Sequence, residues 1–383
     1  MSIAIVLGSL APYIARVYEA YVERYGTQLH VFSCAAIEPH RQWQIPPPRF
    51  MTHTVLPGLR WHRSDASHLY VNPSVVPALR RLRPELIMTG AFSPTMIAAA
   101  AYARATGTPY GVATDGTLDT DPGGSSTPHA LLRRAIVPAA KFGVGGSQAS
   151  VEFLEHWGLQ KGRGVAVALV PPWDAPAHIP GFAERPFDIL FAGGINETYK
   201  GALFFADMLT GLAAGGRHLK VRVTGTGPDL EEVKRRLAAA NVETHFDGAV
   251  QPDAIPGIMS SAKLLAFPSR QDPWGLVANE AVLCGTPVLG SPHATSSPLF
   301  VERFGVGLVR PLELQAWQDA VDEMLSSQPR WASFMQRRDE AVKWCSIESA
   351  VAGLHQAFEI GRAAGGTKAV EIAPTGNGAS AQR

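Results

Sequence analysis

Short apolar runs alternate with helix-like patterns along most of this chain, and that alternation restricts the possible folds more than any other feature. Residues 3–7 and 28–33 have the composition of buried strands, and residues 12–25 between them have helical spacing. Strands and helices in regular turn are typical of a parallel sheet with helices on both faces. The other elements predicted in this half are strands at 53–56, 86–89, 110–114 and 142–145 and helices at 75–82, 95–105, 130–139 and between Ser147 and Gly158.

A proline-rich segment, residues 171–186, interrupts the alternation, because repeated prolines prevent regular structure over any useful length. The pattern then restarts, with predicted strands at 188–192, 220–224, 244–247, 263–267, 287–290 and 307–309 and predicted helices at 201–213, 229–240, 255–260 and 276–284. The sequence therefore predicts an α/β fold of two Rossmann-like doubly wound domains that face each other across a cleft.

The predicted limits are 1–170 for the first domain, 171–186 for a linker and 187–345 for the second domain. Residues 346–364 are predicted to form a C-terminal helix that packs back on the first domain. Residues 365–383 are predicted to be a disordered tail, because their small and polar side chains bury too little surface to order the chain.

Composition and charge argue against several classes of protein. The formal net charge of +1 gives no general attraction to nucleic acid, and no basic tract is interleaved with aromatic residues. The cysteines Cys34, Cys284 and Cys345 are too widely spaced to indicate a disulfide framework or a zinc site. The start of the chain lacks the pattern of a signal peptide, and no segment approaches the length of a membrane span, so a cytoplasmic location is expected.

Basic residues cluster at 80–83, 133–134 and 161–163, all in the first half of the chain. Such clusters suit contact with anionic lipid, which would place the N-terminal domain at the inner face of the membrane. The alternative is that they are solvated helix ends, which is the commoner origin of short basic runs.

Two glycine-rich turns follow predicted strands of the second half, where open parallel sheets bind their ligands. The first, 193–201, carries Gly193 and Gly194 and ends near Lys200, and an ammonium group beside free backbone amides suits a diphosphate. The second, 225–228, resembles a dinucleotide-binding loop but has Leu230 where a third small residue is expected. An NAD-dependent oxidoreductase is therefore the least favoured enzyme class.

Two carboxylates separated by seven residues flank a glycine turn between a predicted strand and a predicted helix. Asp272 precedes Gly275, and Glu280 lies within the mostly apolar helix that follows, where acids seldom occur unpaired. A buried carboxylate that accepts two hydroxyl groups is a common way to hold the vicinal diol of a ribose or hexose. The amides at the start of such a helix also favour an anion.

Residues 267–285 resemble the core signature of the retaining, family-4-type glycosyltransferases, the group 1 glycosyl transferases of GT-B fold. The resemblance extends over 187–308, whereas the first half matches these proteins in layout only. The matching motifs are Phe-Ala-Gly at 191–193, Lys-Gly at 200–201, Val-Thr-Gly-Thr-Gly-Pro at 223–228, Phe-Asp-Gly-Ala-Val at 246–250 and Gly-Thr-Pro-Val at 285–288.

The resemblance implies roles for particular residues. Lys200 would neutralise the donor diphosphate, Glu280 would hold the ribose hydroxyls, and Asp272 with nearby amides would hold the transferred sugar. The other residues implied in donor binding are Gly8 and Ser9 in an N-terminal loop, Gly193, Gly194, Gly225 and Gly227 in the glycine turns, Val250 at the base, and Trp274, Gly275 and Leu276 at the helix start.

The chain departs from the family pattern at two positions. An arginine that usually follows the glycine at 193 is absent, so Arg270 is a candidate for the missing cationic contact with the diphosphate. Asp272 replaces the usual glutamate, which shortens the reach toward the sugar by one methylene. Asp115 follows the strand 110–114, where relatives place a residue that faces the acceptor, and is a candidate base; an Asx turn at Gly116 is the alternative.

Two further features have weaker functional interpretations. Residues 119–121 (Asp-Thr-Asp) match the DxD pattern that binds metal in the unrelated GT-A fold, but short motifs of this kind often occur by chance. His293 lies near the predicted cleft without a visible partner. Neither feature indicates a metal site, and no metal or cofactor is expected.

The sequence thus predicts a retaining, metal-independent glycosyltransferase that uses a nucleoside diphosphate sugar, in the synthesis of a cell-surface polysaccharide or glycolipid. The acceptor is left open among a glycan, a lipid-linked molecule and a small molecule, and nucleic acid is not expected as a partner. A nucleotide-sugar epimerase and a catalytically silent GT-B binding module are the alternatives.

Overall fold

The computed structural model describes residues 2–37, 47–64 and 67–366. The N-terminal domain is built on a parallel seven-stranded sheet with the order β3-β2-β1-β6-β7-β8-β9. Its strands are β1 (Ser2–Leu7), β2 (Gln28–Ser33), β3 (Thr52–Val55), β6 (Leu86–Gly90), β7 (Tyr110–Thr114), β8 (Phe142–Gly145) and β9 (Gly164–Ala166), and a separate antiparallel pair is formed by β4 (Leu59–Ser64) and β5 (Ser67–Val71).

Helices cover both faces of this sheet, so its central strands are buried and almost entirely apolar. Strand β1 shows this directly, because Ile3, Ala4, Ile5 and Val6 are fully buried. The helices are α1 (Pro12–Tyr25), α2 (Val75–Leu82), α3 (Pro94–Thr106), α4 (Thr127–Ile136) and α5 (Gln148–His156).

The C-terminal domain repeats the plan with a parallel six-stranded sheet in the order β12-β11-β10-β13-β14-β15. The strands are β10 (Phe187–Ala192), β11 (Lys220–Thr224), β12 (Glu243–Gly248), β13 (Ala262–Phe267), β14 (Val288–Gly290) and β15 (Gly307–Val309). The helices are α6 (Glu197–Lys200), α7 (Ala202–Ala214), α8 (Leu230–Ala239), α9 (Ile255–Ser260), α10 (Leu276–Leu283), α11 (Leu314–Leu325), α12 (Gln328–Ser333) and α13 (Arg338–Trp344).

A long last helix, α14 (Ile347–Ala364), returns to the N-terminal domain. Ser346 caps it, since its hydroxyl oxygen accepts the amide of Ser349. The Phe358 ring packs edge-on against Tyr21 of α1 and Phe142 of β8, with centroids 5.2 and 5.8 Å apart. The helix therefore belongs to the N-terminal core, as its amphipathic pattern requires.

The proline-rich segment is fastened to both domains. The guanidinium of Arg16 in α1 donates to the carbonyl of Pro171 at 2.8 Å and pairs with Asp174. At the other end, the buried guanidinium of Arg185 donates to the carbonyls of Ala262 (2.7 Å) and Gly285 (2.9 Å). Burial lowers the pKa of Arg185 to about 10, so several carbonyl acceptors are needed to hold its charge there.

The structure differs from the sequence prediction in several elements. Helix α4 spans Thr127–Ile136 rather than 130–139, because Pro128 suits a first turn and Pro138 cannot continue a helix. The pair β4 and β5, strand β9 and a π-helical turn at Ser297–Glu302 were not predicted. Most of the tail predicted at 365–383 lies outside the described residues.

Candidate active site

A cavity of about 560 Å³ lies between the two domains, at the carboxyl ends of the N-terminal strands. Gly8 and Ser9 after β1 and Asp115 after β7 line it from the N-terminal side. These are the three site residues that the sequence predicts in the first half of the chain. Parallel strands end at the same edge of a sheet, which is why loops so far apart in sequence share one space.

Three residues of the C-terminal domain close the cavity from the other side: Tyr199, Gln271 and Pro273. Tyr199 directly precedes Lys200, and the other two flank Asp272. Lys200 and Asp272 do not themselves line the cavity, but their sequence neighbours share it with the N-terminal candidates. This geometry is what a reaction between two separately bound substrates requires.

Lys200 is the last residue of the short helix α6, whose orientation is fixed at both ends. The side chain of Asn196 caps the helix and accepts the amides of Tyr199 (2.9 Å) and Lys200 (3.3 Å). Gly201 follows with φ of 65°, and a Cβ there would lie 2.2 Å from the carbonyl oxygen of Pro268. Glycine is thus required for the close approach that places Lys200 beside the loop after β13.

The Lys200 ammonium forms an ion pair with the Asp272 carboxylate. Asp272 is held in turn by backbone bonds, since its amide donates to the carbonyl of His293 (3.1 Å) and its carbonyl accepts the amide of Thr295 (3.2 Å). Its second carboxylate oxygen lies 3.3 Å from the amide of Trp274. The two side chains predicted to contact the diphosphate and the sugar therefore form a single polar unit.

The turn after Asp272 depends on Gly275, which has φ of 90° and caps helix α10. A Cβ at Gly275 would lie 2.4 Å from the Phe267 ring, so a side chain cannot be placed there. The amides at Gly275 and Leu276 lie at the helix start, where backbone donors have no partner inside the helix. They are the natural donors to an anionic ligand at this point.

The Trp274 side chain does not face a ligand. It is buried in the domain core, where it stacks on Trp344 with centroids 5.9 Å apart and donates its indole N–H to Asn279 at 3.1 Å. The backbone of Trp274 alone lies at the turn, and its amide already contacts Asp272. Its predicted contribution to donor binding is therefore restricted to the main chain.

Glu280 lies on the same helix, and its carboxylate has no hydrogen-bond or ion-pair partner among the residues that the structure describes. Burial raises the pKa of Glu280 to about 7. A desolvated carboxylate without a partner is energetically costly, and a ligand with hydroxyl donors would remove that cost. The geometry therefore suits the diol contact predicted for this residue.

The two glycine turns of the second domain pack directly on each other. A Cβ at Gly225 would lie 1.8 Å from the Gly193 oxygen, and one at Gly227 would lie 2.2 Å from the Ile195 oxygen. Gly225 and Gly227 are thus required by loop packing, whatever their part in donor binding. A Cβ at Gly193, by contrast, meets no atom within 4 Å, and one at Gly194 approaches only the Asn196 side chain.

Val250 follows β12 at the same edge of the C-terminal sheet and packs partly against the domain core. This leaves it in a position compatible with the predicted base pocket. His293 is exposed, and its backbone carbonyl rather than its ring contacts the site through Asp272.

Arg270, which the sequence suggests as a cationic contact with the diphosphate, pairs with another residue of the protein. Its guanidinium pairs with Glu197, which also accepts the amides of Leu203 (2.7 Å) and Phe204 (3.1 Å) at the start of α7. The structure thus gives Arg270 a partner in a helix cap and leaves Lys200 as the cation beside Asp272. The sequence missed Glu197, although a glutamate at a helix start is a common capping signal.

The Asp-Thr-Asp motif at 119–121 also has a structural explanation. Asp121 forms a buried ion pair with Arg133 at 2.7 Å and accepts the indole N–H of Trp157 at 2.9 Å. Arg133, counted above as part of a surface basic cluster, is only 6% exposed and stacks on Phe92 at 4.5 Å. Arg133 is therefore not part of a solvated helix end, and Asp121 of the Asp-Thr-Asp motif is held in a buried ion pair.

Two general features of the described part of the chain bear on function. Across residues 2–37, 47–64 and 67–366, no group of three or more histidine, cysteine or acidic side chains is arranged to hold a metal ion. In the same ranges, no helix has both the length and the apolar character needed to cross a membrane.

Comparison with known proteins is decisive for the second domain. Residues 186–327 match the family model described as glycosyl transferases group 1. The C-terminal domain is similar to the group 1 glycosyl transferases. All the site residues between Gly193 and Glu280 lie inside it.

Curated relatives match short segments of the chain. A 2-deoxystreptamine N-acetyl-D-glucosaminyltransferase of Streptomyces fradiae is 37% identical over 70 residues, which are 18% of this chain and 17% of that protein. A 2-deoxystreptamine glucosyltransferase of Streptomyces kanamyceticus is 35% identical over 79 residues, or 20% of each chain. The matches thus span about a fifth of the length of these relatives.

Solved structures match nearly the whole chain. HepE of Anabaena, determined in complex with UDP, superposes with a TM-score of 0.73 at 16% identity and covers 94% of this chain and 100% of its own. WaaG, a glycosyltransferase involved in lipopolysaccharide biosynthesis, has a TM-score of 0.68 at 14% identity and covers 94% of this chain and 99% of its own. The predicted GT-B fold is confirmed, with the group 1 domain as its second half.

Proposed function

We propose that this chain transfers a sugar from a nucleoside diphosphate sugar to a hydroxyl acceptor, with retention of anomeric configuration and without a metal ion. The observation that carries the proposal is the cavity between the domains. It is lined by Asp115 from one domain and by the sequence neighbours of Lys200 and Asp272 from the other. A donor on the group 1 domain and an acceptor on the N-terminal domain would meet there.

The donor is bound through three kinds of contact. Lys200 and the amides at Gly275 and Leu276 neutralise the diphosphate, and the open backbone at Gly193 and Gly194 allows its close approach. Glu280 accepts two ribose hydroxyls, and Val250 packs against the base. Asp272 holds the transferred sugar while it keeps Lys200 in position.

Catalysis rests on stabilising the departing diphosphate and on aligning the two substrates. Lys200 and the helix-end amides meet the negative charge that develops as the bond to the sugar breaks. The acceptor hydroxyl attacks from the face that the diphosphate leaves, and the leaving phosphate takes the acceptor proton. Asp115 orients the acceptor hydroxyl at the other side of the cavity.

The names of the similar proteins support this assignment and leave the acceptor open. Two curated relatives are named for transfer to 2-deoxystreptamine, and WaaG is described as acting in lipopolysaccharide biosynthesis. HepE has been determined with UDP and with UDP-glucose, which supports a nucleotide-sugar donor here. A cytoplasmic enzyme of cell-surface polysaccharide or glycolipid synthesis, acting at the inner face of the membrane, remains the proposed setting.

Thermal-shift screening against UDP-, GDP-, ADP- and dTDP-sugars tests donor binding. A ligand at 100 times its dissociation constant adds about 2.7 kcal/mol to the free energy of unfolding, so the correct donor gives a clear rise in Tm. Product analysis then separates the alternatives. Epimerised nucleotide sugar without transfer would indicate an epimerase, and binding without turnover would indicate a silent module.

A further inference from the structure

The cavity between the domains has two chemically different walls. Its polar wall comes from one stretch of chain, 114–133, which runs from the end of β7 through α4. The charged and titratable side chains that line the cavity, among the residues that the structure describes and apart from tyrosines, all lie in that stretch: Asp115, Asp121, His129 and Arg133.

The rest of the N-terminal lining is mainly apolar. Helix α1 contributes Ile14 and Val17 beside the tyrosines Tyr13 and Tyr18, and Met88, Val144 and Leu354 form a further apolar part, here called the floor. The polar side chains on this side are tyrosines and Ser9, beside the main chain of glycines such as Gly8 and Gly145, and among the described residues no carboxylate, side-chain amide or guanidinium of the N-terminal domain lines the cavity outside 114–133. A ligand surface placed against α1 therefore loses water and gains mainly apolar contact.

This arrangement disfavours a sugar unit as the acceptor. A pyranose carries hydroxyl groups around its whole rim, and each hydroxyl turned toward Val17 or the floor would be desolvated without a partner. Such a group weakens affinity by roughly 5- to 150-fold, which corresponds to about 1–3 kcal/mol. An apolar body would gain from the same contact.

Within the polar wall, the buried charges of Asp121 and Arg133 are held in place by other protein groups. Asp121 is bonded to Arg133, to the Trp157 indole and to the amide of Gly123 at 2.9 Å, so it anchors the loop rather than contacts a ligand. Asp115 lies at the start of this wall, directly after the carboxyl end of β7. The reacting hydroxyl is thus expected at the polar wall, with the rest of the acceptor against α1.

We infer that the acceptor is an amphipathic alcohol whose hydroxyl is attached directly to an apolar body, so that this enzyme adds the first sugar to a non-sugar molecule. The inference rests on the proposed function and narrows its acceptor. A cavity of about 560 Å³ is of the size that encloses a small ligand. A hydroxylated ring system and a lipid alcohol share this chemistry.

The reaction balances without a further reagent. The acceptor oxygen forms a bond to the anomeric carbon, and the bond from that carbon to the diphosphate oxygen breaks. The acceptor proton passes to the departing diphosphate, which leaves as the nucleoside diphosphate. The product is a monoglycoside of the apolar alcohol, which a later transferase could extend.

The test compares four acceptor probes by calorimetry in the presence of the nucleoside diphosphate, followed by mass spectrometry of products with the nucleotide sugar. The probes are a dihydroxyanthraquinone, dioctanoylglycerol, maltotriose and 2-deoxystreptamine. We expect saturable binding and glycosylation of the anthraquinone or of the glyceride, and the stronger of the two identifies the source as a ring system or a lipid. Binding of maltotriose or 2-deoxystreptamine in preference to both, or no binding of either amphipathic probe, would overturn the inference.

A matched pair of variants in α1 adds a second readout. Val17→Thr replaces a methyl group on the apolar wall by a hydroxyl with little change in side-chain size. Val22→Thr makes the same change on the same helix, away from the cavity. We expect Val17→Thr to lower the affinity for the amphipathic probe about tenfold. Val22→Thr should change that affinity less than twofold. Equal effects, or tighter binding by Val17→Thr, would contradict the inference.

Donor binding is measured separately, so the two proposals fail in different ways. If a nucleotide sugar raises the Tm but only the polar probes are glycosylated, the proposed function stands and the acceptor inference fails. If no nucleotide sugar binds, the proposed function itself fails.

Discussion

The two domains share one architecture, but their functional residues are organised differently. In the group 1 domain, Lys200, Asp272 and Glu280 lie in short motifs just after strands, and glycines with positive φ shape each turn. In the N-terminal domain, the residues that line the cavity are scattered along the sequence between Leu7 and Val170, and Leu354 of the returning helix joins them. A nucleotide is recognised by a few polar groups at fixed spacing, whereas an acceptor is recognised by the shape and polarity of a space.

Under the proposed function, this difference between the domains follows from the chemical groups that each ligand offers. A diphosphate and a ribose present the same charges and hydroxyls whatever sugar is attached, so one lysine, one carboxylate and a set of amides are sufficient. An acceptor has no such constant part. The first domain therefore carries no short motif, and the family match covers the second domain alone.

The largest effect is expected from Lys200→Ala, which removes the cation from the donor side alone. We expect kcat/KM for transfer to fall by roughly 100- to 1000-fold, since comparable electrostatic groups contribute about 3–4 kcal/mol to transition-state stabilisation. Binding of the acceptor probe should stay within twofold. Steady-state kinetics with Lys234→Ala as the control, an exposed lysine of α8, checks this, and an unchanged kcat/KM would refute the donor assignment.

Gly225→Ala tests whether the glycine turns are required for packing. The new Cβ would lie 1.8 Å from the Gly193 oxygen at a φ of 131°, so we expect a loss of about 3 kcal/mol in the free energy of unfolding. Gly216→Ala is the matched control, because its φ of 84° is also positive but its Cβ would meet no atom within 4 Å. Urea denaturation measures both, and equal losses would show that backbone strain rather than packing explains the effect.

Glu280→Gln should separate stability from donor affinity. The pKa of Glu280 is about 7 in the folded protein against an ordinary value of 4.5, so the folded state binds the extra proton. The stability of the ligand-free protein therefore falls as pH rises from about 4.5 to 7 and then levels off. Glutamine removes the cost of burying an ionised carboxylate. We therefore expect Glu280→Gln to raise the free energy of unfolding by roughly 2 kcal/mol at pH 8 and by little at pH 4.

The same substitution should weaken nucleotide-sugar binding, because an amide cannot accept two ribose hydroxyls as well as a carboxylate does. Calorimetry at pH 8, with Glu152→Gln on the exposed face of α5 as the control, measures this. In the wild type, donor affinity should decrease as pH falls below about 7, as Glu280 takes up its proton. Affinity that is independent of pH from 5.5 to 8 would argue against a contact with the donor.

The smallest effect is expected from Arg270→Ala. Its guanidinium contacts the partly exposed side chain of Glu197, the first residue of α6, and such pairs contribute less than about 1 kcal/mol. We expect kcat/KM to remain within threefold of the wild type and the Tm to fall slightly. A loss close to that of Lys200→Ala would restore Arg270 to the diphosphate site.

Much of the fold follows from the sequence alone, because the strongest signals are local. Strand β2 and helices α1 and α2 occur at the predicted residues, as their apolar periodicity and flanking residues are clear. The pair β4 and β5 was missed because its strands are short and carry exposed apolar side chains such as Trp61. Sequence patterns cannot show which of its faces is solvated.

The site divides in the same way. Lys200 and Asp272 were predicted from their positions after strands and from the family resemblance, and the structure adds that they pair with each other. The burial of Arg133 against Asp121 and Phe92 was not predictable, because these residues are brought together only by the tertiary fold. Likewise, nothing local marks Tyr199, Gln271 or Pro273 as the second wall of the cavity.

The most direct test of the account is to follow an isotopically labelled sugar from its nucleoside diphosphate to a product. The protein would be incubated with ¹³C-labelled UDP-, GDP-, ADP- or dTDP-hexose and the dihydroxyanthraquinone or dioctanoylglycerol, and the products analysed by mass spectrometry. We predict a labelled monoglycoside with the donor's anomeric configuration, formed at least about 100-fold more slowly by Lys200→Ala. Label found only in an epimerised nucleotide sugar, or transfer at an undiminished rate in Lys200→Ala, would contradict the assignment of the cavity as the place where donor and acceptor meet.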